Sequence, residues 1–247
     1  MNVSCQLSIQ YDGQLFAGYE LQPGERTVRG VLEEALKKVY KRNVSIITPS
    51  RTDAGVHAVA NTISFKAPFT IPDDKLVLAL NAHLPADLRV MSRENAPGKP
   101  VKAKTYEYYI YNGPICPPLI RRFVWHIKPQ LSLSKMRLAA RQLVGQHDFS
   151  SFCASGSGDD NPVKTIYRIE IMKSKIVLGS ASWPIISLRI RGSGFLYKMV
   201  RNMVGTLVDH SLKGPNDQSI KSILAAKDRK LAGRTAPACG LFLVSSR

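Results

Sequence analysis

The order of strand and helix signals constrains this chain most. A period-two apolar pattern followed by a helical one opens it, and the same succession opens it again after Pro100. Val3, Cys5, Leu7 and Ile9 alternate with Ser4, Ser8 and Gln10, which predicts a strand that ends at the turn signal Tyr11-Asp12-Gly13. Val28, Val31, Leu32, Ala35, Leu36 and Val39 then recur at helical spacing, with Thr27 placed to cap the first turn. The β-branched run from Val44 to Thr48 reads as a strand, and so does the row Val59, Asn61, Ile63 and Phe65, which alternates with Ala60, Thr62, Ser64 and Lys66. Leu76, Val77 and Leu80 predict a helix from Asp73 to about Asn81, and Leu88 to Met91 a brief strand.

Pro97-Gly98-Lys99-Pro100 is the plainest punctuation in the chain and divides it into halves 1–98 and 99–247. The second half opens with the aromatic strand Thr105 to Tyr111, ended by Asn112-Gly113-Pro114. A helix carrying Met136, Ala139, Ala140, Leu143 and Val144 follows, with Ser132 or Ser134 as its cap and Gly145 as its stop. Ser155 to Asn161 reads as a loop; Thr165 to Met172 and Ile185 to Ile190 read as an antiparallel pair. A helix with Val200, Met203, Val204, Leu207 and Val208 is closed by Gly214-Pro215, a short helix runs around Ile220, Ile223 and Leu224, and Leu241 to Val244 makes a final strand. Each half is a sheet covered by helices on one face, an α+β architecture suggestive of duplication.

Lys and Arg number 35 against 18 Asp and Glu, a net charge of +17 in 247 residues. Such a surplus predicts a polyanionic partner, because neutralising phosphates releases their counterions. From Lys99 to Arg141 the basic residues include Lys102, Lys104, Arg121, Arg122, Lys128, Lys135 and Arg137, opposed by Glu107 alone, so this segment is the candidate phosphate-tracking surface. Cys5, Cys116, Cys153 and Cys239 form no C-x-x-C pair, which predicts neither a zinc site nor a local redox pair and fits reduced thiols in a cytosol-like compartment. No basic leader or membrane-length apolar run is present, so a soluble, cytoplasmic protein is expected.

Between two predicted strands, Ser50-Arg51-Thr52-Asp53-Ala54-Gly55-Val56-His57-Ala58 gathers an acid, two bases, a hydroxyl and a glycine. Taken alone, an Asp two residues before Gly also describes a surface turn whose carboxylate bonds its own backbone.

Arg51-Thr52-Asp53-Ala54-Gly55-Val56-His57-Ala58 resembles the signature of the TruA-type tRNA pseudouridine synthases. Further matches follow in the family's order: Tyr11-Asp12-Gly13 with Phe16 and Gly18, Leu80-Asn81 with Leu84-Pro85, and Lys104-Thr105-Tyr106. Then come His147-Asp148-Phe149-Ser150-Ser151-Phe152, Gly194-Phe195 with Met199-Val200-Arg201-Asn202, and Thr235-Ala236-Pro237-Ala238 with Gly240-Leu241. The resemblance implies the pseudouridine synthase fold, a ferredoxin-like duplicated sandwich with a central antiparallel sheet and a cleft between halves. It implies isomerisation of uridine at positions 38 to 40 of the tRNA anticodon arm, without metal or cofactor, by a homodimer. By motif match Asp53 is the catalytic group, attacking the ribose or acting there as a base. Arg201, one helical turn after Tyr197, matches the arginine that keeps that aspartate ionised against desolvation. Tyr106 matches the tyrosine that packs on the flipped-out base. Arg51, Lys104, Arg121, Arg122 and Lys198 are the candidate RNA contacts.

Each of these residues has a plainer reading: strand packing for Tyr106, an exposed helix arginine for Arg201, a turn-stabilising arginine for Arg51. His57 reads as a structural histidine bonded to its loop, since no cluster of ligands completes a metal site around it. The sequence departs from the family pattern at Ser50, normally Gly, and at Gly18-Tyr19-Glu20, normally Gly-Trp-Gln, where the carboxylate adds repulsion towards RNA. The alternatives are an inactive paralogue that only binds or chaperones RNA and, more weakly, a hydrolase using Asp53 and His57 with a metal.

Overall fold

A computed structural model describes residues 3–94, 101–156, 161–212 and 219–246. The punctuation at 97–100, most of the 155–161 loop and Gly214-Pro215 lie outside the described residues. Contacts group the chain into two compact units, Met1–Lys102 with Phe242–Arg247, and Ala103–Leu241. Both are mixed α+β, with mostly antiparallel strand pairing.

In the first unit, β1 (Val3–Tyr11), β2 (Ile46–Ile47), β3 (His57–Ala67) and β4 (Leu88–Arg93) are joined by the strand Leu241–Ser246. β1 lies antiparallel between β4 and β3, β2 adds to the far end of β3, and Phe242 and Leu243 run parallel to His57 and Ala58 at its start. The period-two rows are buried over most of their length: Cys5, Leu7, Ile9 and Tyr11 on β1, and Asn61, Ile63 and Phe65 on β3. Val59, expected in the second row, is exposed instead, where the register of β1 against β3 shifts between Ile9 and Tyr11. α1 (Val28–Tyr40) begins where the Thr27 side chain accepts from the Gly30 amide, and it buries Val28, Leu32, Ala35, Leu36 and Tyr40. Each fully enclosed leucine or isoleucine here contributes roughly 1.5–3 kcal/mol. α2 (Asp73–Asn81) is tied to β4 by Asn81, whose amide nitrogen donates to Val90 O at 2.8 Å while its oxygen accepts from Val90 N at 2.9 Å. That exchange gives Leu80-Asn81 a physical reason.

In the second unit, β5 (Lys104–Asn112) pairs antiparallel with β9 (Ala181–Gly192), β9 with β8 (Val163–Leu178), and β8 with β7 (Gly145–Asp148), while the short β6 (Trp125–Ile127) runs parallel to β5. The chain's final strand, numbered β10, is Leu241–Ser246. α3 (Leu133–Arg141), capped by Ser132, packs on β8 and on α4 (Met199–Leu212), and α5 (Ile220–Ala226) follows. α3 stops short of Leu143, and Gly145, with a φ of 114°, begins β7 as well as ending the helical turn. β8 and β9 extend well beyond the stretches expected of them, to a two-residue turn at Gly179 (φ 58°). Their outer pairs are largely exposed, so no apolar alternation marks them.

Candidate active site

The Asp53 loop is held by a buried polar network behind it. From Ser50 to Asp53 burial alternates: Ser50 and Thr52 are buried, Arg51 is exposed and Asp53 half-buried. The Ser50 carbonyl accepts from Asn61 Nδ2 at 3.0 Å and from Thr48 Oγ1 at 3.2 Å. Thr52 Oγ1 lies 2.8 Å from the Tyr11 hydroxyl, to which Asn61 Nδ2 also reaches at 3.4 Å. Burial pushes the Tyr11 phenol up to about 12, against the lowering effect of its bonds to Thr52 and Asn61, so it stays a neutral partner. Asn61 therefore pins the loop on both sides of Arg51. Its signal in the sequence is an amide in the alternating row with Ile63 and Phe65, both of which face inward; the sequence reading passed over it.

A second loop closes on the first. Tyr19 N donates to Thr52 O at 3.0 Å and Gly55 N to Phe16 O at 3.2 Å. Gly18, at φ 117°, lies flat on the Thr52–Ala54 backbone, and a Cβ on Gly13 would stand 1.9 Å from Val56 O. These approaches explain why Tyr11-Asp12-Gly13, Phe16 and Gly18 accompany the Asp53 motif. His57 is 1% exposed, accepts the Gly13 amide proton at Nδ1 (3.1 Å) and stacks on Phe242 at 4.7 Å. Asp12 Oδ1 stands 3.0 Å from the same nitrogen. His57 is a brace for the loop.

Glu20, expected to repel RNA, is engaged by cations. Arg29 Nη1 donates to it at 2.8 Å, and Arg29 Nε also holds Glu33, whose Oε1 accepts from the Ile46 amide. Arg51 Nε lies 3.5 Å from the other Glu20 oxygen, with 73% of its side chain exposed.

In the second unit, Lys104 and Tyr106 lie at the start of β5, opposite Gly192 and Ile190. Tyr106 is 7% exposed, its ring edge-on to Phe195 at 5.2 Å. Phe195 leads into the turn that carries Lys198, and α4 with Arg201 follows. Lys198 adopts a φ of 56°, an uncommon conformation for a side-chain-bearing residue, and its ammonium lies 4.8 Å from the Tyr197 ring centroid. Arg201 occupies the first turn of α4, and its Nε donates to Ala236 O at 2.8 Å. The other tyrosines of β5 have structural tasks: Tyr108 donates to Pro237 O at 2.7 Å, Tyr109 to Glu107 at 2.5 Å, and Tyr111 packs on the cluster of Ile120, Val124 and Ile185. The structure thus sets Tyr106, two residues after Lys104 on β5, against Phe195, which precedes Lys198 by three residues and Arg201 by six. Arg121 and Arg122 lie elsewhere, on the exposed turn after Ile120, by the opposite end of β5. Among the described residues no group of three or more His, Cys, Asp or Glu could hold a metal ion.

A sequence model of the family described as tRNA pseudouridine synthase matches residues 7–103 and 139–247, most of both units. The chain belongs to the tRNA pseudouridine synthase family. Its relatives in that family match along nearly their whole lengths. The tRNA pseudouridine synthase A of Bacillus subtilis (strain 168) is 40% identical over 251 residues, covering 98% of this chain and 97% of its own. That of Shouchella clausii (strain KSM-K16) is 43% identical over 249 residues, covering 98% and 91%. The tRNA pseudouridine synthase A 2 of Clostridium tetani (strain Massachusetts / E88) is 38% identical over 245 residues, covering 96% of each chain. As a tRNA pseudouridine synthase the chain is an isomerase acting on tRNA uridine.

Proposed function

We propose that the chain converts uridine to pseudouridine at positions 38 to 40 of the tRNA anticodon arm, with Asp53 as the catalytic group. In that reaction the bond from uracil N1 to ribose C1′ breaks, the base turns, C5 bonds to C1′, and the C5 proton leaves to solvent while N1 gains one. Asp53 starts it either by attack or by proton abstraction at the ribose. Arg201 keeps the carboxylate ionised as water is excluded, and Tyr106 packs on the extruded base. Arg51, Lys104, Arg121, Arg122 and Lys198 meet the RNA backbone or the place the base has left. The enzyme works as a cytoplasmic homodimer with RNA bound across both subunits.

The observation that carries this reading is the Asp53 turn. An extensive buried network and a second loop fix its backbone, while Asp53 stays half-buried beside an exposed arginine. A binding protein has no use for a rigidly held carboxylate next to phosphate. The test is tritium release from tRNA labelled at uridine C5. Asp53→Ala should abolish release, by at least about 10³-fold, and leave tRNA binding nearly unchanged. Wild-type turnover in Asp53→Ala would end the assignment, and binding without release by the unaltered chain would favour the RNA-chaperone alternative. Mapping the modified uridines in tRNA tests the choice of positions.

A further inference from the structure

The segment 232–237 lies against α4 and is held there from several sides. Gly233 N donates to Thr206 Oγ1 at 2.8 Å, and Arg234 is bound by Asp209 through its backbone N (3.0 Å) and its Nε (2.7 Å). The segment approaches so closely that a Cβ on Gly205 would stand 1.7 Å from Arg234 O. At its end the Pro237 carbonyl accepts from Tyr108. Ala236, fully buried, faces Arg201: its amide donates to Arg201 O at 3.1 Å and its carbonyl accepts from Arg201 Nε.

One side chain gathers this segment from within. Arg229 Nη1 donates to Ala232 O (3.3 Å) and Gly233 O (2.9 Å); Nη2 donates to Thr235 Oγ1 (3.0 Å) and Asn202 Oδ1 (2.9 Å). Thr235 Oγ1 donates to the same Asn202 oxygen at 2.7 Å, and Asn202 Nδ2 is tied to Phe152 O at 2.7 Å. Asn202 follows Arg201 in the chain. The Arg229 fork therefore joins the segment that grips the Arg201 guanidinium to the residue beside Arg201 on the helix. All four acceptors are neutral, so Arg229 is spent on geometry and not on an ion pair. Desolvation lowers its pKa, as burial of such a cation requires.

We propose that Arg229 is a positioning residue for the isomerisation: through Thr235, Asn202 and the Ala236 carbonyl it fixes the direction in which Arg201 presents its remaining donors. The inference rests on the reading of Arg201 given above. A guanidinium has the planar set of donors this task needs, and a lysine ammonium at the same place cannot span both carbonyls and both side-chain oxygens.

The test is a double-mutant cycle on tritium release under single-turnover and steady-state conditions, using Arg229→Met, Arg229→Lys, Arg201→Ala and the pair Arg201→Ala/Arg229→Met. Arg229→Met should lower kcat by roughly 10- to 100-fold, the size of effect a misplaced catalytic group produces, with KM for tRNA within about twofold of wild type. Arg229→Lys should fail to rescue it. In the Arg201→Ala background the Arg229 substitution should have no further effect on kcat. Asp73→Asn, which breaks an ion pair to Arg93 in the first unit, serves as a comparator that loses stability without losing kcat. Should Arg229→Met not fold, Thr235→Val takes its place in the same cycle, since it removes one acceptor and leaves the other three. Full activity in Arg229→Lys, or an Arg229 effect equally large without Arg201, would overturn the inference alone. Unchanged kcat in Arg201→Ala would instead overturn the reading of Arg201.

Discussion

At the scale of single residues, Asp148 shows how a carboxylate of this basic protein is held by a cation. Asp148 ends β7 and accepts from Ser150 N (2.9 Å), Ser150 Oγ (2.6 Å) and Lys227 Nζ (2.8 Å). The Lys227 ammonium foremost, and then the Ser150 hydroxyl, hold its carboxyl down at about 2, from 3.8 for an unconstrained aspartate. A depressed folded-state pKa means that its contribution to stability is fully present above pH 3.8 and is lost as pH falls through about 2. Denaturation midpoints across that window should therefore show Asp148→Asn below wild type at pH 5, by a modest margin because the Lys227 side chain is 61% exposed, with the gap closing towards pH 2; a gap of constant size would refute the linkage. At the same scale, motif letters were legible and their partners were not. Asp53, Arg51 and Arg201 stand out as chemistry, whereas the role of Asn61 depends on Ser50 and Tyr11 reaching it from 11 and 50 residues away. Arg229 is silent for a different reason: three of its acceptors lie within six residues but are two backbone carbonyls and a hydroxyl, which carry no charge to announce a pair, and the fourth, Asn202, lies 27 residues away.

At the scale of elements, the Asp53 turn is one of two loops that make a single layer. Gly13 is where they come closest, since its amide donates to His57 and its Cα faces the Val56 carbonyl. Gly13→Ala must push Val56 away, and overpacking of this kind costs about 1–3 kcal/mol. Because Val56 lies three residues from Asp53, kcat should fall together with the melting temperature while tRNA affinity holds. A variant that melts earlier yet turns over at the wild-type rate would show that the turn absorbs the displacement. Helices were the most legible elements: α1 declares itself by its apolar positions and its Thr27 cap, and both survive in the structure. Strands were legible only where one face is buried. β6, three residues long, is held by Asn112, whose amide donates to Ile127 O and Pro129 O at 2.8 Å, a contact across the chain that no local period encodes. The outer β8–β9 hairpin lacks a buried face and so lacks a pattern.

For the molecule as a whole, a net charge of +17 suits a tRNA partner, and the proposed homodimer offers two copies of that charge to one polyanion. Sedimentation at micromolar protein and physiological salt should give a mass near twice the 27.3 kDa of the chain. A monomer at the concentration that supports full turnover would refute the dimer. No helix among the described residues is long and apolar enough to cross a membrane. The parallel neighbour of β3 was beyond any local reading, since it arrives from Phe242 and Leu243 after the entire second unit has intervened. That arrangement bears on the order of biosynthesis. As a nascent chain emerges, the strand behind the Asp53 turn lacks a neighbour, and His57 lacks its stacking ring, until Phe242 is clear of the ribosome. The catalytic turn is encoded early and finished late, so a chain broken off before Phe242 carries every letter of the Asp53 motif and its Asn61 network, but not the ring that stacks on His57 or the strand that flanks it.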